Sequence, residues 1–198
     1  MSISHVVAAT SSGHKFLELG KLFPGINLMR IDMIPPEETG ATFLENALLK
    51  ARIYHLACGK PVLADDSGLC VNALGGAPGL YSARWGAEIH GRPMNDGEKN
   101  QHLLSLLDKE ADRSAYYICA MVFLEEPERF SAVQAVWHGS ILHEQRGTGG
   151  FGFDPVFQPE GLQVSSAELA PEEKNRLSHR GQAAFMLGKI FDNSRERL

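Results

Sequence analysis

Two adjacent carboxylates, Asp65 and Asp66, follow the apolar run Pro61-Val62-Leu63-Ala64 and precede Ser67-Gly68. Carboxylates at the carboxyl end of a strand are placed to hold a hard cation at the rim of a sheet, because Mg²⁺ and Ca²⁺ take oxygen donors. Asp, Ser and Gly are also ordinary turn formers, so the same four residues read equally as a solvated turn. The expected local structure is a short strand that stops at residues 65–68. A second apolar run, Leu69 to Leu74, and the segment Gly75-Gly76-Ala77-Pro78-Gly79 come next.

Three other stretches carry residues with chemistry to offer. Thr10-Ser11-Ser12-Gly13-His14-Lys15 lies between an apolar run, His5 to Ala9, and helix-period apolar residues Phe16, Leu19 and Phe23. A strand, a small polar loop and a helix start leave free backbone N–H groups facing the loop, and Lys15 adds a full charge. That is a sound anion site. A plain N-cap by Ser11 or Ser12 explains the same residues, and the GxxxxGK[ST] phosphate loop is absent. Gly147-Thr148-Gly149-Gly150-Phe151-Gly152-Phe153-Asp154-Pro155 matches GxGxxG literally. Pro155 and the apolar Val156-Phe157 stand where a dinucleotide-binding helix would begin, so that reading fails. The loop suits close backbone approach to a flat ligand, or a glycine-rich turn with two core phenylalanines. Finally, Ser178-His179-Arg180 opens the last helix, where His179 and Arg180 could meet a base or a phosphate. The default there is solvent exposure with Ser178 as cap.

The elements that must position these groups read as mixed α and β. Thr42-Phe43-Leu44-Glu45 fits a capping box, which makes Glu45 a cap rather than a ligand. The helix it starts buries Phe43, Ala47, Ala51, Tyr54 and Cys58 and ends at Gly59. Lys50 falls off that stripe and is expected to be solvated. Pro35-Pro36 exclude regular structure, leaving Glu37 and Glu38 on a restricted loop. Ile26 to Ile31 reads as a strand, and Asn95 to Asp108 as a helix with Leu103, Leu104 and Leu107 inward. Ser114 to Leu124 and Phe130 to Leu142 form a long hairpin. Pro171-Glu172-Glu173 has helix-start chemistry, with Lys174 following, and Ala184, Leu187 and Phe191 face inward on the last helix.

The 198 residues, 43% of them hydrophobic, suffice for one sizeable core or two joined lobes, and no linker composition divides them. A net charge of −5 argues against a nucleic-acid or anionic-membrane surface. Cys58, Cys70 and Cys119 are isolated and odd in number, which favours reduced thiols and a cytoplasmic protein. No stretch approaches a membrane span, and the first residues lack the pattern of a signal peptide.

Taken together, the segments resemble the inosine/xanthosine triphosphate pyrophosphatases, hydrolases of noncanonical purine nucleoside triphosphates. The resemblance rests on Glu37-Glu38-Thr39-Gly40, Thr42 to Ala47 with Lys50-Ala51, Ala64 to Leu69, Leu74 to Gly79 with Tyr81-Ser82-Ala83-Arg84, Gly147 to Pro155, and Ser178 to Gly181. It implies a single ITPase-like domain over residues 1–198: a long mixed β-sheet with flanking helices, two lobes around a central cleft, and a homodimer. It further implies hydrolysis of ITP, dITP or XTP to the monophosphate and pyrophosphate with Mg²⁺. Asp66 would be the catalytic base and a metal ligand, Glu37 the second metal carboxylate, and Asp65 a support. The substrate would meet Thr10, Ser11, Ser12, Gly13, His14 and Lys15, then Lys50, Ser67 and Arg84. Phe151, Gly152, Phe153, Asp154, Lys174, His179 and Arg180 would form the nucleoside side, with Arg180 and backbone N–H groups as donors to a purine O6. One departure stands out: the family's first loop reads Thr-x-Asn-x-x-Lys, and Ser12 occupies the Asn position, with shorter reach and no amide. Two other classes share these residues in part. They are a non-catalytic nucleotide sensor, disfavoured by the intact Asp65-Asp66 pair, and a pyrophosphatase acting on canonical or modified pyrimidine nucleotides.

Overall fold

The computed structural model describes residues 5–195. Its strands are β1 (Val6–Ala8), β2 (Leu28–Met29), β3 (Val62–Val71), β4 (Ser114–Glu126), β5 (Arg129–Ile141) and β6 (Phe157–Pro159). They form one six-stranded sheet in the order β2-β1-β3-β4-β5-β6. The sheet is mixed: β1 pairs parallel with both β2 and β3, and β5 pairs antiparallel with β6. The helices are α1 (Gly13–Leu22), α2 (Phe43–Cys58), α3 (Ala87–His90), α4 (Asp96–Leu106), α5 (Pro171–Leu177) and α6 (His179–Arg195). Among the described residues no helix is long and apolar enough to cross a membrane.

The chain divides into two compact units. One comprises the segment through Asp66, Cys119–Ala135 and the segment from His179; the other comprises Ser67–Ile118 and Val136–Ser178. In the first unit, Val6 and Ala8 of β1, Leu63 of β3 and Met121 and Phe123 of β4 pack with Leu19 of α1, Phe23 at its C-cap and Leu187 from α6. Phe191 meets Phe123 edge to face, with ring centroids 4.7 Å apart. The second unit has its own core of Leu69, Val71, Leu103, Leu107, Tyr117, Trp137, Phe153, Val156 and Phe157. Tyr117 abuts Phe157 edge to face at 4.8 Å. Each core thus buries apolar side chains from both strands and helices, the arrangement that gives an α/β layer its stability.

Local sequence accounts for the helix boundaries. Thr42 Oγ1 accepts from the Glu45 N–H at 3.1 Å while Glu45 Oε2 accepts from the Thr42 N–H at 3.2 Å, closing the expected capping box of α2. Gly59 ends α2 with φ of 64°, the left-handed position that glycine takes without a Cβ penalty. Asn95 and Glu98 form a second capping box at α4. The β4–β5 hairpin turns at Pro127-Glu128, as the sequence predicts.

Three expectations are corrected. The turn at residues 65–68 does not exist: β3 runs unbroken from Val62 to Val71 through both aspartates, Ser67 and Gly68. Local turn preference yields here because the strand is buried along nearly its whole length and its two charges are paired. The second strand shrinks to Leu28–Met29. Lys50, expected in solvent, is buried, as are His179 and Arg180. Cutting the cap of α2 with Thr42→Ala should lower stability by about 1 kcal/mol, read as a shift in the urea-unfolding midpoint.

Candidate active site

Side chains alternate along a strand, so neighbours such as Asp65 and Asp66 emerge on opposite faces of β3. Each meets a different set of partners. Asp65, 1% exposed, holds Lys15 from α1 at 3.2 Å and accepts from Nε and Nη2 of Arg180, at the start of α6, both at 3.2 Å. The remaining arm of the guanidinium, Nη1, lies 2.6 Å from Glu18 of α1. Burial by itself would raise the Asp65 carboxyl, but Lys15 and Arg180 overcome it and hold the group well below the usual carboxylate range. Burial would likewise lower Arg180, and Asp65 and Glu18 hold it fully charged instead. Behind this cluster the buried Cys119 thiol is pushed up to about 12 by burial and by the Asp65 charge.

On the other face, Asp66 Oδ1 lies 3.1 Å from Lys50 Nζ, and Oδ2 accepts from Asn46 Nδ2 at 3.2 Å. Asn46 and Lys50 are four residues apart on α2 and so share one helix face. Both reach outward to the preceding acidic loop. Lys50 Nζ contacts Glu38 at 2.9 Å, and Asn46 Oδ1 accepts from the Gly40 N–H at 2.7 Å. Gly40 is required at that contact, since a Cβ there would sit 2.7 Å from Asn46 Oδ1. Burial raises the Asp66 carboxyl; Lys50 opposes the shift, the nearby Glu38 charge adds to it, and the net result is a more basic carboxylate. The Lys50 ammonium loses to burial and gains more from Asp66, Asp65 and Glu38, so it stays protonated.

The parallel register explains why these groups meet at one rim. Ala8 of β1 pairs with Leu63 of β3, so the loop leaving the carboxyl end of β1 runs beside Asp65 and Asp66, within the longer β3. In that loop Ser12 is the N-cap of α1, accepting from the Lys15 N–H at 3.3 Å, and Thr10 Oγ1 accepts from the Ser12 N–H at 3.1 Å. Ser11 offers its carbonyl to Arg30 at 3.1 Å, and Gly13 and His14 open the helix at the surface.

The glycine-rich loop belongs to the other unit and has its own anchors. Asp154 Oδ2 accepts from the Phe151 N–H at 2.7 Å and pairs with Lys174 Nζ at 2.6 Å, while Oδ1 accepts from Ser166 Oγ at 3.0 Å. The Lys174 ammonium lies 4.9 Å from the centroid of the half-buried Phe151 ring. Gly150, at φ of 70°, has no room for a side chain, because a Cβ would collide with the Asp154 carboxylate. Phe153 turns into the core instead. Of the two aromatics, Phe151 is the one left at the surface of the loop.

Not every expected residue joins a cluster. Glu37 is exposed, whereas its neighbour Glu38 turns toward Lys50 and Asp66. Arg84 is exposed and lies with its guanidinium 4.8 Å from the Tyr81 ring centroid. Arg180 pairs with the carboxylates of Asp65 and Glu18, and His179 beside it is 4% exposed. Ser67 is half-buried on β3. Two partners escaped the sequence reading, Glu18 and Asn46, whereas Glu38 was singled out beside Glu37 on the same loop. The spacing of Asn46 and Lys50 on one predicted helix was the available hint.

The chain matches the Ham1 family over residues 6–190. It belongs to that family. Among its relatives, a protein of Ralstonia nicotianae named dITP/XTP pyrophosphatase is 40% identical, with 96% of this chain and 98% of that one aligned. A Treponema denticola protein of the same name is 47% identical over 80% of this chain and 81% of its own. The solved structure of a HAM1 protein from Coxiella burnetii covers 96% of this chain and 99% of its own at a TM-score of 0.85 and 37% identity. The Staphylococcus aureus Ham1 protein does so at 0.84 and 33%, over 96% and 100% of the two chains. The mixed sheet of this Ham1-family chain is therefore the fold of its relatives.

For this Ham1 chain, the Asp65 cluster has a direct energetic consequence. Asp65→Asn leaves Lys15 and Arg180 facing one another with a neutral amide, and should cost about 3 kcal/mol in urea unfolding, as loss of one partner of a buried ion pair does. A loss below about 1 kcal/mol, the scale of an exposed pair, would show that Asp65 is not what neutralises them.

Proposed function

We propose that this chain hydrolyses noncanonical purine nucleoside triphosphates, dITP, XTP and ITP, to the nucleoside monophosphate and pyrophosphate. The observation that carries the reading is the Asp66 face: a buried, basic carboxylate fixed by Lys50 and Asn46 next to Glu38. It is found in a chain whose aligned relatives are named dITP/XTP pyrophosphatase.

The residues divide the work as follows. Water attacks the α-phosphorus, its proton passes to Asp66, and the bond to the bridging oxygen breaks to release pyrophosphate. A carboxylate made more basic by burial and a neighbouring charge suits that proton. Lys50 keeps Asp66 ionised and oriented, and Lys15 with the N-terminal N–H groups of α1 offers positive charge to the phosphates. Because Ser12 serves as the cap, it supports the helix start from which those N–H groups project. On the nucleoside side, Phe151 offers an aromatic face for a purine, with the Lys174–Asp154 pair holding its backbone and underside.

The donor set fits a hard divalent cation. Asp66 and Glu38 are two like-charged oxygen donors held close enough that Glu38 raises the proton affinity of Asp66. Among the described residues no group of three or more His, Cys, Asp or Glu gathers into a cage. Mg²⁺ is commonly held by one or two carboxylates, with waters and substrate phosphates completing six positions. We therefore assign Asp66 and Glu38, rather than the exposed Glu37, as the residues that would hold Mg²⁺. When bound, the ion neutralises charge developing on the phosphates.

Steady-state assays with dITP, XTP, ITP, ATP and GTP in Mg²⁺ test the substrate class; comparable kcat/KM on all five would overturn it. Asp66→Asn should lower kcat by about a hundredfold or more, the scale of a lost general base, while the protein still unfolds cooperatively. Glu38→Gln should raise the Mg²⁺ concentration needed for half-maximal rate well above that of Glu37→Gln. The reverse order would return the metal to Glu37.

A further inference from the structure

We propose that Asp96 and Asn100 of α4 are positioning residues for base recognition, gripping the Gly152 peptide groups and thereby fixing Phe151. This rests on the reading of Phe151 as the surface that meets the purine. Asp96 Oδ2 accepts from the Gly152 N–H at 2.7 Å, and Asn100 Nδ2 donates to the Gly152 carbonyl at 3.1 Å. The two side chains are one helical turn apart, so a single face of a rigid helix holds both ends of one loop residue.

The grip closes a gap in how the loop is held. The Phe151 N–H is tied to Asp154, whose carboxylate is itself bound by Lys174 and Ser166. Those contacts fix the backbone on the amino side of Phe151. On the carboxyl side the chain passes into Gly152, whose φ of 65° marks a residue with wide conformational freedom. Nothing in the chemistry of glycine keeps it there. Asp96 and Asn100 do, and with both flanking N–H groups anchored the backbone of Phe151 has one setting over Lys174.

Asn100 bears the marks of this duty. It is 1% exposed, and its amide donates both to Gly152 and to Gln145 Oε1 at 3.3 Å, while its own Oδ1 has no hydrogen-bond partner. Turning the amide over would set its oxygen against the Gly152 carbonyl, so the donor orientation is the one retained, at the cost of an unsatisfied buried oxygen. Asp96 is half-exposed and is steadied by Lys99 Nζ at 3.3 Å. Asn95, not Asp96, is the cap of α4, so the Asp96 carboxylate is not needed to start the helix.

The test uses the full chain with Asp96→Ala, Asp96→Asn and Asn100→Asp. In the nucleotide-free protein, hydrogen exchange at the Gly152 amide should speed up about tenfold in Asp96→Ala and Asn100→Asp, the scale of one lost charge-assisted hydrogen bond. Asp96→Asn, which keeps an acceptor oxygen, should restore most of the protection. In steady-state kinetics the same two variants should raise KM for dITP by about tenfold with kcat nearly held, and lower the dITP-to-dATP ratio of kcat/KM by a similar factor. Unchanged exchange would overturn the grip. Exchange that speeds up while both substrates lose kcat equally, with Asp96→Asn no better than Asp96→Ala, would reduce the residues to scaffold. Should Asn100→Asp not fold, the two Asp96 variants decide, since that side chain is half in solvent. A wild-type chain without preference for dITP would overturn the substrate reading instead, and the exchange arm would still decide whether α4 holds the loop.

Discussion

Two charges placed side by side on a buried strand cannot share a hydrogen-bonded partner, because the strand points them to opposite faces. Much of the first unit is arranged around that constraint. Removing a carboxylate from water costs several kcal/mol after relaxation, so each aspartate of β3 requires cations brought to it by other elements. One face draws Lys15 and Glu18 from α1 and Arg180 from α6; the other draws Asn46 and Lys50 from α2. The helices are held to the strand by charge as well as by the apolar contacts beneath.

The two faces end in different chemical states. The Asp65 side is closely balanced: Lys15 and Arg180 both close on its Oδ2, and Glu18 takes the other arm of Arg180. The carboxylate therefore stays an anion and the guanidinium a cation, while Oδ1 has no hydrogen-bond partner. The Asp66 side is less balanced. One ammonium serves two carboxylates, and Asn46 contributes a dipole rather than a charge. The Asp66 face thus carries surplus negative charge on a more basic oxygen, whereas on the Asp65 face the opposite charges offset one another. Adjacent identical residues are thus given opposite shifts in proton affinity by their neighbours alone.

Much of this was legible in the chain. The α2 capping box, the Gly59 stop, the β4–β5 hairpin and the inward faces of α4 and α6 follow from local rules and appear as read. What failed was every judgement that depended on a distant partner. Asp65-Asp66-Ser67-Gly68 has turn composition, and it becomes strand because cations remote in sequence make its burial tolerable. Lys50, His179 and Arg180 were expected in solvent for the same reason: polarity suggests exposure until the opposing charges are known. Glu38 and Glu37 could not be told apart, because which of two adjacent loop residues turns inward is settled by the reach of Lys50 rather than by residue type. Likewise the grip of α4 on Gly152 joins residues far apart in sequence, and only the tertiary fold brings them together.

The alternation along β3 also sets what kind of genetic change this protein can absorb. A substitution at a core position of β3 alters volume and leaves every other side chain on its own face. A single-codon deletion or insertion ahead of Asp65 would rotate the rest of the strand by half a turn, carrying Asp65 toward Lys50 and Asp66 toward Lys15 and Arg180. Composition, charge and hydropathy would be almost untouched. Outside the two aspartates, the segment is consequently far stricter about length than about identity.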